Sequence, residues 1–172
     1  MNYQNILDRF KEVNVPELSG IKKEIKELSN ILQENEIIMY GTRGSYDGGV
    51  WLITCTDKRI LFLDKGMIKL KQVEIPIDKI NSVSFKKGMV FGKIVIHHGS
   101  ASMEIGNINK ETLNPLVEAI NHEIEAHKSG VKQPVRKSDD TADEIVKFKK
   151  LFDEGVITEE EFQAKKKQLL GL

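Results

Sequence analysis

The chain has 172 residues, enough for one domain of ordinary size with appendages and tight for two. Lysine plus arginine equals aspartate plus glutamate at 26 each, which excludes a global field pulling the molecule onto nucleic acid or an anionic membrane and leaves such contact to local patches. The single cysteine, Cys55, excludes an internal disulfide and suits a reducing cytoplasm, and no stretch reads as a signal peptide or approaches the roughly 20 apolar residues of a membrane span.

Tyr3, Ile6, Leu7 and Phe10 recur at helical spacing until Val15-Pro16 interrupts them. In "PELSGIKKEIKELSNIL", Leu18, Ile21, Ile25, Leu28 and Leu32 then follow at alternating steps of three and four, with Pro16 suited to a first turn. The seam covers about two heptads, short of a free-standing coiled coil. It predicts an amphipathic helix lying on its own domain, with a dimer seam as the alternative.

From about Glu36 the period falls to two. The runs "EIIMYGT", "VWLITCT", "RILFL", "MIKLKQVEI", "INSVSF", "MVFGKIVIHH" and "ASMEIG", separated by turn residues, predict a seven-stranded antiparallel meander curling into a small barrel or sandwich. "SASMEI" alternates cleanly, with Ala101, Met103 and Ile105 on one face. "VWLITC" and "ILFL" are apolar on both faces, read as Val50, Leu52, Ile60 and Phe62 on one and Trp51, Ile53, Leu61 and Leu63 on the other. The outer face needs a cover, the N-terminal helix first and a second copy next, which makes Trp51 and Leu63 a candidate second interface. "NKETLNPLVEAINHEIEAHK" returns to a helical period behind Asn109 as N-cap and can close one mouth of the barrel.

"HKSGVKQPVRKSDD" is polar, aperiodic and punctuated by Gly130 and Pro134, and reads as a linker. Two capping boxes follow, Thr141 with Glu144 and Thr158 with Glu161, with Gly155 between them and Ile157 and Phe162 placed as a hydrophobic staple. The resulting helical hairpin has too few apolar side chains to offset the entropy of ordering it alone, so it gains most by docking. Ile145, Phe148, Phe152, Phe162 and Leu169 are the candidate self-association residues.

This last stretch, "ADEIVKFKKLFDEGVITEEEFQAKKKQLL", closely resembles SHOCT, the short C-terminal domain, and matches its pattern at Gly155, Ile157, Thr158, Glu161, Phe162, Lys166 and Leu169-Leu170. The resemblance implies a role in assembly through oligomerisation or, as the lesser possibility, nucleic-acid contact. "LITCTDKRILFLDKG" and "IPIDKINSVSFKKGMVFGKIVI", with the helix after them, resemble a bacterial pleckstrin-homology (PH) domain of the YokE-like type from roughly Leu32 to Lys128. The expected organisation is an α+β chain: N-terminal amphipathic helices at 1–31, a PH-like barrel with its capping helix at 32–128, a linker at 129–140 and a SHOCT hairpin at 141–172.

Motifs of chemistry are missing from the sequence. "GTRGSYDGG" reads as a hairpin loop, lacking the lysine and strand-to-helix context of a phosphate-cradling loop. His97 and His98 point to opposite faces of a strand, and His122 and His127 share no helix face well, so no metal or cofactor is expected. Arg43, Lys65, Lys86 and Lys87, on connections expected to share one end of the meander, form a weak candidate patch for anions or a membrane. Lys165, Lys166 and Lys167 are the strongest nucleic-acid candidates, yet have a simpler use against the helix dipole. The expectation is a non-enzymatic cytoplasmic adaptor whose barrel binds a protein partner and whose hairpin joins copies of the chain. The alternatives are a peripheral membrane or anion-binding module and, more weakly, nucleic-acid contact through the tail.

Overall fold

The computed structural model of the chain describes residues 1–16, 19–130, 149, 158–159 and 161–163. It divides into two compact units, Met1–Val131 and Lys132–Leu172. In the first unit, α1 (Tyr3–Glu12) starts at Asn2, whose side chain accepts the Asn5 amide at 2.8 Å. α2 (Lys22–Ile31) is shorter than its sequence pattern. Gly20, at φ +83°, takes a left-handed conformation that interrupts the helix, so Pro16 stands outside any helical turn and Leu18 lies outside the described residues.

Seven strands follow: β1 (Ile38–Tyr46), β2 (Gly49–Thr56), β3 (Arg59–Lys65), β4 (Leu70–Pro76), β5 (Ile80–Lys87), β6 (Phe91–His98) and β7 (Ala101–Asn109), then α3 (Lys110–Lys128). Their order is β4-β3-β2-β1-β7-β6-β5, antiparallel throughout. The expected seven-stranded antiparallel architecture with its capping helix is present. Ser45 opposite Gly106 joins the β1–β4 leaf to the β5–β7 leaf, and the sheet is not closed, since β4 and β5 end the order. β1 and β2 meet at a two-residue Asp47-Gly48 turn with both φ positive, so "GTRGSY" is strand where a loop was expected.

The register corrects the face assignment in the apolar hairpin. Leu52 faces Leu63 and Ile53 faces Phe62, because the connection pairs an even-numbered residue of β2 with an odd-numbered one of β3. Trp51, Ile53, Cys55, Ile60 and Phe62 therefore share the inner face, and Leu52, Leu61 and Leu63 the outer one. The N-terminal helices cover that outer face with Ile6, Phe10, Ile21, Ile25 and Leu28, all fully buried. Arg9 Nε donates to the Ile38 carbonyl at 2.7 Å, and Glu24 accepts the Lys65 amide at 2.8 Å. Trp51 and Leu63, expected together as a second interface, are 2 % and 0 % accessible and lie on opposite faces: the N-terminal helices cover Leu63, while Trp51 is buried on the inner side with Tyr46 edge-on and Lys71 over its ring.

On the inner side, α3 starts at Asn109, whose side chain accepts the Glu111 amide at 3.0 Å. It buries Leu113, Leu116, Val117, Ile120 and Ile124 against the sheet. Thr112 and Thr42 hydroxyls meet at 2.6 Å in that contact. Among the described residues no helix is long and apolar enough to cross a membrane.

In the second unit the capping box at Thr158 is formed. Glu161 Oε2 accepts the Thr158 amide at 2.9 Å and Thr158 Oγ1 accepts the Glu161 amide at 3.3 Å. Phe162 is half-buried. The other four self-association candidates, Ile145, Phe148, Phe152 and Leu169, lie outside the described residues, as does the Thr141–Glu144 box.

Candidate functional site

The β3–β4 and β5–β6 hairpins end in the same four-residue pattern, Lys-Gly-Met followed by a β-branched residue: Lys65 to Ile68, and Lys87 to Val90. The turns close alike. The Gly66 amide donates to the Lys69 carbonyl at 3.0 Å, and the Gly88 amide to the Phe91 carbonyl at 2.8 Å. A Cβ on Gly88 would lie 2.5 Å from the Phe91 oxygen, so this turn requires glycine. The closure puts Met67 and Ile68 at one tip, 93 % and 90 % exposed, and Met89 and Val90 at the other, 89 % and 53 % exposed. Sequence periodicity counted these four as strand residues, since "MIKL" and "MVFG" continue an apolar run. The repeated Lys-Gly-Met was the signal that marks them as turns.

The β5–β6 hairpin carries more than its tip. Phe85 and Phe91 are about half exposed beside it. A groove of about 300 Å³ on the β5–β7 leaf is lined by Lys86, Lys87 and Lys93, by Phe91 and Asn107, and by glycine backbone. Lys93 pairs with Glu104 at 2.9 Å, while Lys86 and Lys87 make no ion pair among the described residues. Asn107, at φ +51°, donates to Ser45 Oγ at 3.2 Å and ties the groove's edge to β1.

The four basic residues expected to act together are not gathered into one patch. Arg43 and Lys65 lie on the outer face of the β1–β4 leaf: Arg43 Nη1 donates to the Ser19 carbonyl at 3.0 Å, and Lys65 Nζ stands 3.8 Å from Glu27. Lys86 and Lys87 stay exposed on the other leaf.

The groups with displaced ionisation are built into the fold. Burial alone would raise the Glu36 carboxyl, but hydrogen bonds from Arg59, the Gln33 amide and Thr56, with the Arg59 charge, hold it below its usual range. Arg59 is raised by its hydrogen bond to Glu36, with Glu74 also in contact. Burial raises Tyr40, and it raises the Cys55 thiol strongly, with Glu123 and Asp57 adding to the effect. His122 meets Glu123 at 2.9 Å and His127 meets the Asp57 carbonyl at 3.1 Å. Among the described residues no group of three or more histidine, cysteine or acidic side chains is placed to hold a metal.

The profile of the bacterial PH domain matches residues 32–122, and that of the short C-terminal domain, SHOCT, matches residues 143–170. An uncharacterized protein of Archaeoglobus fulgidus is 28 % identical over 147 residues, covering 67 % of this chain and 77 % of its own. A solved structure, a DUF1696 family protein with a pleckstrin-homology domain from Shewanella loihica PV-4, aligns with a TM-score of 0.45 and 16 % identity over 62 % of this chain and 99 % of its own. Both matched domains are non-catalytic families that make up interaction modules. The chain belongs to the bacterial PH domain family and carries a SHOCT domain over residues 143–170.

Proposed function

We propose that the chain is a non-enzymatic, cytoplasmic adaptor in which the PH unit meets a partner through its β5–β6 hairpin and the SHOCT tail joins copies of the chain. The observation that carries this reading is where apolar surface is gathered: Phe85, Met89, Val90 and Phe91 crowd one hairpin, while the outer face of the β1–β4 leaf is covered by the N-terminal helices. The groups able to do chemistry, Cys55, Glu36 and Arg59, are meanwhile tied into the core. Joining copies would raise the effective concentration of each hairpin, so weak contacts would add without any new contact being made. Light scattering on the full chain and on a chain ending at Gly130 tests the assembly step. The full chain is expected above monomer mass and the shortened one at it; a full chain that stays monomeric at high concentration overturns the reading.

A second reading, contact with an anionic surface, is favoured by one specific observation. Lys86 and Lys87 flank the exposed tip with no acidic partner among the described residues.

A further inference from the structure

We propose that the two Lys-Gly-Met tips are a pair of prongs that enter the interface of an anionic lipid bilayer. The inference rests on the second reading above and names its occupant. Each prong ends in two adjacent apolar side chains with no hydrogen-bonding group, Met67-Ile68 and Met89-Val90; exposure of about 90 % leaves Met67, Ile68 and Met89 with few neighbours in their own fold, and Val90 is about half open.

Charge supplies the second argument. Although the chain is neutral overall, its acidic residues avoid the β5–β6 hairpin and the tip of the β3–β4 one: none occurs from Lys65 through Val73 or from Lys79 through Met103. Lys69, Lys86 and Lys87 have no ion-pair partner among the described residues, so they are available to headgroup phosphates while their stems lie along the membrane surface.

The arrangement of the prongs decides between a bilayer and a protein groove. The register puts both tips at the end of the sheet where β1 turns into β2, with β7 between that turn and the β5–β6 hairpin. Lys71 stands 3.6 Å from Asp47 on one side of the turn, and Asn107, on the edge of the lysine groove, reaches Ser45 on the other. A protein seated on the β5–β6 hairpin alone would leave the Met67-Ile68 tip uncovered, whereas a fluid interface accepts both separate prongs without shape complementarity.

The test uses the full chain with vesicles of phosphatidylcholine alone or mixed with phosphatidylserine, at low and physiological salt. Sedimentation with the anionic vesicles is expected, weakened by salt and by Lys86→Glu/Lys87→Glu. Met67→Ser/Ile68→Ser and Met89→Ser/Val90→Ser are each expected to lower it by roughly tenfold, with thermal midpoints unchanged because the replaced side chains touch little. Should either pair shift the midpoint, Ile68→Trp and Val90→Trp replace it as probes, and a blue shift of their emission on anionic vesicles is the expected result. No sedimentation, or sedimentation lost on lysine reversal but kept in both tip variants, overturns the proposal. Emission unmoved by vesicles does the same. Light scattering reads assembly without lipid, so the adaptor reading and this one can fail independently.

Discussion

Arg59 grips Glu36 with two parallel hydrogen bonds, Nε to Oε1 and Nη2 to Oε2, both 2.9 Å. Glu36 also accepts from Thr56 Oγ1 and the Gln33 amide, each at 2.8 Å, and Arg59 also donates to the Ile31 carbonyl at 2.9 Å and to Glu74. The cluster fixes the C-terminal end of α2 to the β2–β3 hairpin and leaves each charge compensated. Removing Arg59 strands the buried Glu36 carboxylate, so Arg59→Met is expected to cost roughly 3 to 5 kcal/mol in denaturant unfolding; Glu36→Gln leaves Arg59 its pair with Glu74 and is expected to destabilise by less.

The same carboxylate sets a pH signature. Its folded pKa is depressed, so its stabilisation is fully present above the unfolded value of about 4.3 and is lost as pH falls through the lower folded value. The difference in melting temperature between the native chain and Glu36→Gln should hold through neutral pH and narrow in acid. A gap that widened in acid would contradict the assignment.

Periodicity carried the fold a long way because burial here obeys it. The step of three and four put Ile21, Ile25 and Leu28 on one face, and the alternation in "SASMEI" put Met103 and Ile105 in the core. It failed where a side chain's neighbours belong to another segment. The phase between β2 and β3 is set by the Asp57-Lys58 connection, which composition does not encode, and so Trp51 was grouped with Leu63 although the two lie on opposite faces. The Asp47-Gly48 pair was the readable signal for a tight turn, yet the glycines before it suggested a longer loop. The tips were missed for a related reason: Met, Ile and Val count as apolar whether they start a strand or crown a turn.

Gly41 tests the seat of α1. A Cβ there would lie 2.4 Å from the Phe10 ring, so the helix can approach β1 only over a bare backbone. Gly41→Val is expected to destabilise by about 1 to 3 kcal/mol. In a Phe10→Ala background the same change should cost less, and a double-mutant cycle with no coupling would show that the contact contributes nothing.

Deleting residues 1–31 should bare Leu52, Leu61 and Leu63, which the two N-terminal helices otherwise bury. The shortened chain is expected to bind a hydrophobic dye and to self-associate even without the SHOCT segment. Dye fluorescence and sedimentation on a chain spanning 32–130 provide the measurement, and a monomeric, dye-silent product would mean that the sheet does not depend on its cover.

Cys55 reports on the core. Its thiol is fully buried, and burial first, then the charges of Glu123 and Asp57, push its ionisation far above the usual thiol range. The nucleophile in alkylation is the thiolate, so both its population and its access are suppressed in the native state. Iodoacetamide at neutral pH should leave the folded chain unmodified by mass spectrometry and label it fully in denaturant, at a rate in dilute denaturant that follows the opening of the inner face. Glu36→Gln, by lowering global stability, should speed that labelling, whereas Met89→Ser/Val90→Ser should leave it unchanged. Fast labelling of the native chain would place Cys55 outside the core and would withdraw the packing of α3 over β2.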